Sequence, residues 1–285
     1  MNYRHIYHAG NFSDVFKHII IARIIEYLKN KDHAFRVIDT HAGIGIYDLS
    51  SEEAQKTGEW FDGVGRILSK PVVREIEPLV SPWLDVVVEL NGSKDKLINY
   101  PGSPVLIRKL LRKQDRLTAI ELHEADYKKL AGNFTGDYQA RIIHLDGYLA
   151  LGAHVPPKEK RGLIVVDPPF EKTDEFKQLI EGLIKAHRRF PGGIYALWYP
   201  VKHYNELNRF INELEETAIP KILRLELRVR QRSAITGLDG CGMIIVNPPY
   251  VLDKEMHQLE SFLIERLAQD SHANLINEWI NGEVV

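Results

Sequence analysis

The sequence predicts an α/β protein, a single domain built on a seven-stranded, mostly parallel, doubly wound sheet. Three observations carry this reading. The apolar runs are continuous rather than alternating, as parallel strands covered on both faces require. Stretches with apolar residues three and four apart lie between most of those runs, so strand and helix alternate along the chain. At 285 residues, 44% hydrophobic and 27% charged, the chain has ordinary globular composition and can bury a sizeable core.

A helix is expected over Asp14 to Lys29, followed by a first strand in "FRVIDTHAG" (35–43). Further strands are read in "LTAIELH" (117–123), "ARIIHLDG" (140–147), "GLIVVDPP" (162–169), "GIYALWYPV" (193–201), "KILRLELRV" (221–229) and "CGMIIVNPP" (241–249). Helices are expected over Pro104 to Lys113, Glu124 to Asn133, Thr173 to Arg188, Tyr204 to Glu215 and Lys254 to Ala268. Only "RQRSAITGLDG" joins the last two strands. A link that short makes an antiparallel pair and not a parallel crossover, so the seventh strand should run against the others. Residues 48–101 break the alternation and are too long for an ordinary connection. They are read as a small helical insertion within the single domain spanning 1–285.

Composition narrows the function classes. A formal net charge of -2 gives no global attraction to nucleic acid, so such binding has to come from local basic patches. The lone Cys241 excludes an internal disulfide and a Cys-rich zinc site and suits a reducing compartment. The first residues lack the layout of a signal peptide, and their apolar run is too interrupted to span a bilayer, so a cytoplasmic protein without membrane contact is expected. The 12 histidines show no H-E-x-x-H spacing and no G-x-S-x-G elbow is present, which argues against metal and serine hydrolase chemistry.

In open α/β sheets ligands bind outside the carboxyl ends of the strands. The first strand ends "IDTHAGIG", where Asp39 closes the strand and Gly43 and Gly45 permit close backbone approach. The third glycine of a dinucleotide fingerprint is missing, so this is either a cofactor loop or an ordinary tight turn. The second strand places Glu121 where a carboxylate can accept from ribose hydroxyls, and the third places Asp146 where an acceptor can meet an adenine amine. Each alone reads equally as a helix cap or a solvated end. Three in succession point to a nucleoside cofactor.

The fourth strand ends in Asp167-Pro168-Pro169-Phe170. Prolines lack N–H donors, so an amine facing this loop meets acceptors only, the Asp167 carboxylate and the Pro168 carbonyl. Two accepted hydrogen bonds draw an exocyclic amine toward a tetrahedral, nucleophilic form, and Asp167 can take the released proton. Phe170 offers a face on which an extruded base can stack.

With these residues in place the chain resembles the S-adenosylmethionine-dependent amino methyltransferases, whose signature is Asp or Asn, Pro, Pro and an aromatic residue. "YRHIYHAGNFSDVFKH" (3–18), "DTHAGIG" (39–45), "YPGSP" (100–104), "DPPFE" (167–171) and "GIYALWYPV" (193–201) are similar, more narrowly, to the 23S ribosomal RNA adenine-N6 methyltransferase J family. The resemblance covers nearly the whole chain. It implies a Rossmann-like class I methyltransferase fold and transfer of one methyl group to one adenine of protein-free 23S rRNA, by a protein expected to be a monomer. It also implies cofactor contacts at His18, His41, Ser103, Glu121, Asp146 and Gly147, a catalytic acid at Asp167, and substrate handling by Tyr3. From the residues themselves, Gly43 and Asp167 join the expected cofactor contacts, Pro168 and Phe170 the catalytic loop, and Lys17 and Phe170 the substrate side. Phe170 departs from the family's frequent tyrosine, which keeps stacking and loses a hydroxyl contact.

A second copy of the signature, Asn247-Pro248-Pro249-Tyr250, follows the strand expected to be antiparallel and should emerge at the opposite edge of the sheet. Two basic runs, Arg108, Lys109, Arg112, Lys113, Arg116 and Arg224, Arg228, Arg230, Arg232, are either solvated faces or contacts to RNA phosphates. Rival readings are methylation of DNA adenine or a protein glutamine, and a non-catalytic nucleic-acid-binding or DNA-utilisation factor. A nicotinamide dehydrogenase is weakened by the missing glycine.

Overall fold

The computed structural model describes residues 4–93, 96–232 and 237–282. Helix α1 (Phe12–Lys29) is capped by Asn11, whose side chain accepts from the Asp14 N–H, and it is buried on almost every face. Strand β1 (Arg36–Asp39) follows. The chain then leaves the sheet through β2 (Ile46–Asp48), α2 (Glu52–Thr57), α3 (Val64–Leu68) and α4 (Glu77–Asn91), and returns through β3 (Asn99–Pro101). β2 and β3 pair antiparallel, so the excursion leaves and re-enters at one place.

The regular alternation resumes with α5 (Ser103–Leu110), β4 (Arg116–Glu121), α6 (Glu124–Asn133), β5 (Ala140–His144), α7 (Gly147–Ala153) and β6 (Gly162–Val166). After it come α8 (Glu175–Arg189), β7 (Ile194–Val201), α9 (Tyr204–Glu216), β8 (Ile222–Arg228), β9 (Gly240–Val246), α10 (Leu252–Leu267) and β10 (Asn274–Asn281).

The main sheet has eight strands in the order β10-β8-β9-β7-β6-β1-β4-β5. Strands β7, β6, β1, β4 and β5 are mutually parallel. As the short link requires, β9 runs against both β7 and β8. The seven expected strands are all present, and the sheet gains β10, antiparallel to β8, which the sequence did not reveal. Its run "NLINEWIN" is half exposed throughout, because an edge strand needs no continuous apolar stretch.

Each central strand alternates its side chains between two cores. Val37, Leu163, Val165 and Met243 face α1, α4, α5 and α10, while Ile38, Ile164, Val166 and Ile244 face α7, α8 and α9. Full burial of each such side chain stabilises by about 1.5–3 kcal/mol, so the two cores hold the sheet rigid from both sides. From β1 the chain steps outward to β4 and β5, then returns to lay β6 on the other side of β1. The strand order therefore reverses between β1 and β6, and a crevice opens at their carboxyl ends.

Candidate active site

The loop after β1 is stitched to both neighbouring strands. Thr40 donates its backbone N–H and its hydroxyl to the Val165 carbonyl, each at 3.0 Å, and the Ala42 N–H donates to the Ile120 carbonyl at 2.9 Å. Glu121, at the end of β4, accepts from the Gly43 N–H at 2.8 Å and the His123 N–H at 2.7 Å, one on each carboxylate oxygen. Burial pushes its carboxyl up, against the pull of those two donors. Gly43 sits at φ +61, and a Cβ there would fall 2.1 Å from the Tyr47 hydroxyl, so only glycine fits.

The Thr40 hydroxyl spends its one proton on Val165, so the 2.9 Å contact between Thr40 Oγ1 and His41 Nδ1 has the imidazole donating. That leaves His41 Nε2 as an acceptor, and burial pushes the ring down to about 4, neutral at physiological pH. Asp146 is the N-cap of α7: its Oδ1 accepts from the N–H groups of Tyr148 and Leu149 at 2.8 and 3.0 Å. The cap reading of this carboxylate is therefore correct, and Oδ2 is left for a ligand. Gly147 packs its backbone on the β1 loop, where a Cβ would lie 2.4 Å from the Thr40 carbonyl oxygen.

Among the described residues, two of the buried side-chain atoms without a hydrogen-bond partner belong to Asp39 and His18. Asp39 accepts from Ser103 Oγ at 2.7 Å through Oδ2, while its Oδ1 is unsatisfied. Burial drives this carboxyl up to about 7, against the Ser103 hydrogen bond. His18 shares Nδ1 with the Tyr100 hydroxyl at 2.9 Å, its Nε2 is unsatisfied, and burial brings the ring down to about 3. Unsatisfied buried groups cost about 1–3 kcal/mol each; His18 lines the cavity at the crevice, while Asp39 lies behind its wall, against Ser103.

The Asp167 loop faces these groups. Lys17, only 4% exposed, holds Asp167 Oδ2 at 2.5 Å and Asp14 Oδ1 at 2.8 Å. Asp14 in turn takes His5 Nε2 and the Gly10 N–H, each at 2.9 Å. Burial alone would lower the Lys17 ammonium and raise the Asp14 carboxyl. The charges of Asp14 and Asp167 on the first, and of His5 and Lys17 on the second, override it, so both stay ionised. Phe170 has φ 49, a left-handed conformation rare outside glycine, and its ring is braced edge-on by Phe176 at 4.9 Å and Trp198 at 5.6 Å.

One cavity gathers Lys17, His18, His41, Gly43, Ser103, Glu121, Asp146, Gly147, Asp167 and Pro168. Phe170 is set back from its wall while Pro169 and Glu171 line it, and Tyr3 lies outside the described residues. His5, Tyr47, Tyr148, Glu175 and Gln178, none of them among the site residues expected from sequence, also line it. The Tyr148 hydroxyl meets Glu175 at 3.3 Å, across 27 residues of chain, a pairing with no local signal.

The second signature is elsewhere. Asn247 donates to the carbonyls of Pro191 and Gly193 at 2.8 and 2.7 Å, at the amino end of β7, so it caps the opposite edge of the sheet. The Arg108 to Arg116 run is engaged within the protein: Arg108 with Asp137, Lys109 with Glu89, and Arg112 with Asp115 and the carbonyls of Lys29 and Lys31.

A mostly parallel sheet with an antiparallel strand beside β7, and an acceptor-only Asp-Pro-Pro loop at its switch point, define a class I methyltransferase. The family model described as "Ribosomal RNA large subunit methyltransferase D, RlmJ" matches residues 32–281, and the chain belongs to that family. It is 41% identical over 283 residues to "Ribosomal RNA large subunit methyltransferase J" of Escherichia coli K12, covering 99% of this chain and 100% of that one. The protein of the same name from Haemophilus influenzae is 38% identical over 283 residues, with the same coverage. Among solved structures, protein LPL1258 from Legionella pneumophila superposes with a TM-score of 0.85 at 33% identity, covering 95% of this chain and 98% of that one.

Proposed function

We propose that this protein transfers a methyl group from S-adenosylmethionine to the N6 amine of an adenine in 23S rRNA. The observation that carries the reading is the single cavity in which the Asp167-Pro168 acceptor loop meets the carboxylates that end β4 and cap α7.

The cavity fits the cofactor. The unsatisfied His18 Nε2 and the Ser103 hydroxyl, which Asp39 holds from behind the cavity wall, suit its charged amino-acid end. Each Glu121 oxygen that takes one backbone N–H retains a second lone pair for ribose hydroxyls, and Asp146 Oδ2 suits the adenine amine. Gly43, His41 and Gly147 form the close backbone wall. When bound, the cofactor supplies an electrophilic methyl group on a sulfonium, already a good leaving group.

The chain supplies position and charge. Lys17 fixes Asp167 through Oδ2, so Oδ1 and the Pro168 carbonyl are the acceptors for the two N–H groups of the adenine amine. Accepting both bonds keeps the nitrogen lone pair directed at the methyl group, and Asp167 receives the proton released on transfer. Phe170, held in its left-handed conformation by Phe176 and Trp198, gives the extruded base a stacking face. Lys17 thus serves the substrate through Asp167, and Tyr3 is assigned to substrate handling by the family resemblance. Residues 48–101 are read as an insertion within one domain. The protein acts as a cytoplasmic monomer on protein-free RNA; no helix of the described residues is long and apolar enough to cross a membrane.

Calorimetry with S-adenosylhomocysteine tests the cofactor site. Micromolar binding to wild type, lost in Asp146→Ala, is expected; no binding to wild type favours a non-catalytic nucleic-acid-binding factor. Tritiated methyl offered to rRNA, DNA and ribosomal protein in parallel separates the rival substrates, and label in DNA or protein alone would sink the rRNA reading.

A further inference from the structure

The second basic run stands at the same edge of the sheet as the catalytic loop. Val201, at the carboxyl end of β7, is level with Gly240 of β9, and Gly240 is level with Arg228 at the end of β8. Asp167 follows Val166, which is level with Leu197. With strands about 4.8 Å apart and about 3.3 Å per residue, Arg228 is displaced from Asp167 by roughly 14 Å across the sheet and roughly 10 Å outward, toward solvent.

Most of this run has a buried partner, but two arginines keep free donors. Glu226, fully buried, accepts from the Tyr199 hydroxyl, from Arg224 and from Arg228. Arg224 also pairs with Glu278, and Arg230 with Asp239. Among the described residues, Arg228 is held through Nε alone, which leaves both terminal nitrogens of its guanidinium without a hydrogen-bond partner there. Arg232 is exposed, makes no ion pair with a described residue, and lies over the Tyr204 ring at 4.5 Å, with Arg228 at 5.5 Å from the same ring. Packed rings run from the catalytic loop to this place: Phe170 to Phe176, Phe176 to Phe210 at 4.7 Å, Phe210 to Tyr199 at 5.7 Å, and Tyr199 to Glu226.

We propose that Arg228, oriented by Glu226, and Arg232, both against the Tyr204 ring, bind the phosphates of the RNA strand a few nucleotides from the extruded adenine. The proposal rests on the rRNA reading above and adds where the strand runs. A fork held at Nε presents its other two nitrogens in the geometry phosphate oxygens accept. The displacement of Arg228 from Asp167 spans more than one phosphate-to-phosphate step, which places the contact a few nucleotides along the strand. In a protein with a net charge of -2, local free cations have to supply the attraction.

The test is the salt dependence of binding to a protein-free large-subunit rRNA transcript, for wild type, Arg228→Ala/Arg232→Ala and Arg108→Ala/Lys109→Ala. Each phosphate contact contributes about 0.7–0.9 to the slope of log affinity against log salt, so the first double variant should be shallower by about 1.4–1.8. The second, at the opposite edge, should match wild type. Unchanged S-adenosylhomocysteine affinity in both shows an intact fold, and Arg228→Lys/Arg232→Lys should restore most of the slope. Wild type that binds RNA while Arg228→Ala/Arg232→Ala keeps its slope overturns the strand path alone. Wild type that does not bind RNA overturns the rRNA reading and this proposal with it.

Discussion

Lys17 Nζ lies 2.5 Å from Asp167 Oδ2 and 2.8 Å from Asp14 Oδ1, which joins the N-terminal block to the Asp167-Pro168-Pro169 loop across 150 residues of chain. The ammonium and the Asp14 carboxylate are buried, while Asp167 keeps 15% of its side chain exposed toward the cavity, so loss of the ammonium strands Asp14 above all. Lys17→Met should therefore cost about 3–5 kcal/mol of stability, the range for breaking a buried pair from one side. Urea unfolding checks this. Loss of methyl transfer at a temperature where the variant is still folded separates positioning of Asp167 from stability.

Two glycines of α7 make a matched pair. A Cβ on Gly147 would fall 2.4 Å from the Thr40 carbonyl oxygen and 2.7 Å from the His41 ring, whereas one on Gly152 would meet nothing within 4 Å. Gly147→Ala should destabilise by about 1–3 kcal/mol and weaken S-adenosylhomocysteine binding. Gly152→Ala should stabilise by roughly 0.5–1 kcal/mol, because alanine is the better helix former. Equal effects in thermal denaturation would contradict the close packing of α7 on the β1 loop.

The buried Asp39 makes ligand-free stability depend on pH. Burial raises its folded pKa to about 7, from 3.8, so between these values the native state binds more protons than the unfolded chain. This contribution is complete below pH 4 and is lost as pH rises through 7. His18 and His41 act oppositely: burial depresses them to about 3 and 4, so their contribution is present above about 6.5 and is lost as pH falls. Asp39→Asn removes one term and leaves the other two. Its stability minus that of wild type should grow as pH rises from 4 to 7; a difference that is flat or falls with pH would be inconsistent with a buried carboxyl at this strand end.

Asp167→Ala should abolish methyl transfer, because it removes the carboxylate that the Lys17 ammonium holds beside the Pro168 carbonyl at the end of β6. Asn247→Ala removes two hydrogen bonds to the Pro191 and Gly193 carbonyls and should cost about 1–3 kcal/mol of stability with substantial activity retained. The reverse result in a steady-state assay would contradict the strand order.

The sequence revealed the parallel core because continuous apolar runs are a local property. The short link between β8 and β9 was enough to place the second Pro-Pro motif at the far edge. What stayed hidden was non-local or lacked an apolar signature. The half-exposed β10 carries no continuous apolar run, and α7 is a seven-residue helix whose start is set by the Asp146 cap. The Lys17–Asp167 pair and the unsatisfied Asp39 and His18 atoms exist only once distant segments meet. The charges of the Arg108 to Arg116 run were visible, but the carboxylates and carbonyls that occupy them were not.

The most direct test of the central claim is nucleoside-resolved mass spectrometry of protein-free large-subunit rRNA incubated with S-adenosylmethionine and the enzyme. The account predicts one new methyl group per RNA, found as N6-methyladenosine and absent with Asp167→Ala. Methylation on another atom or base, or N6-methyladenosine formed undiminished by Asp167→Ala, would contradict it.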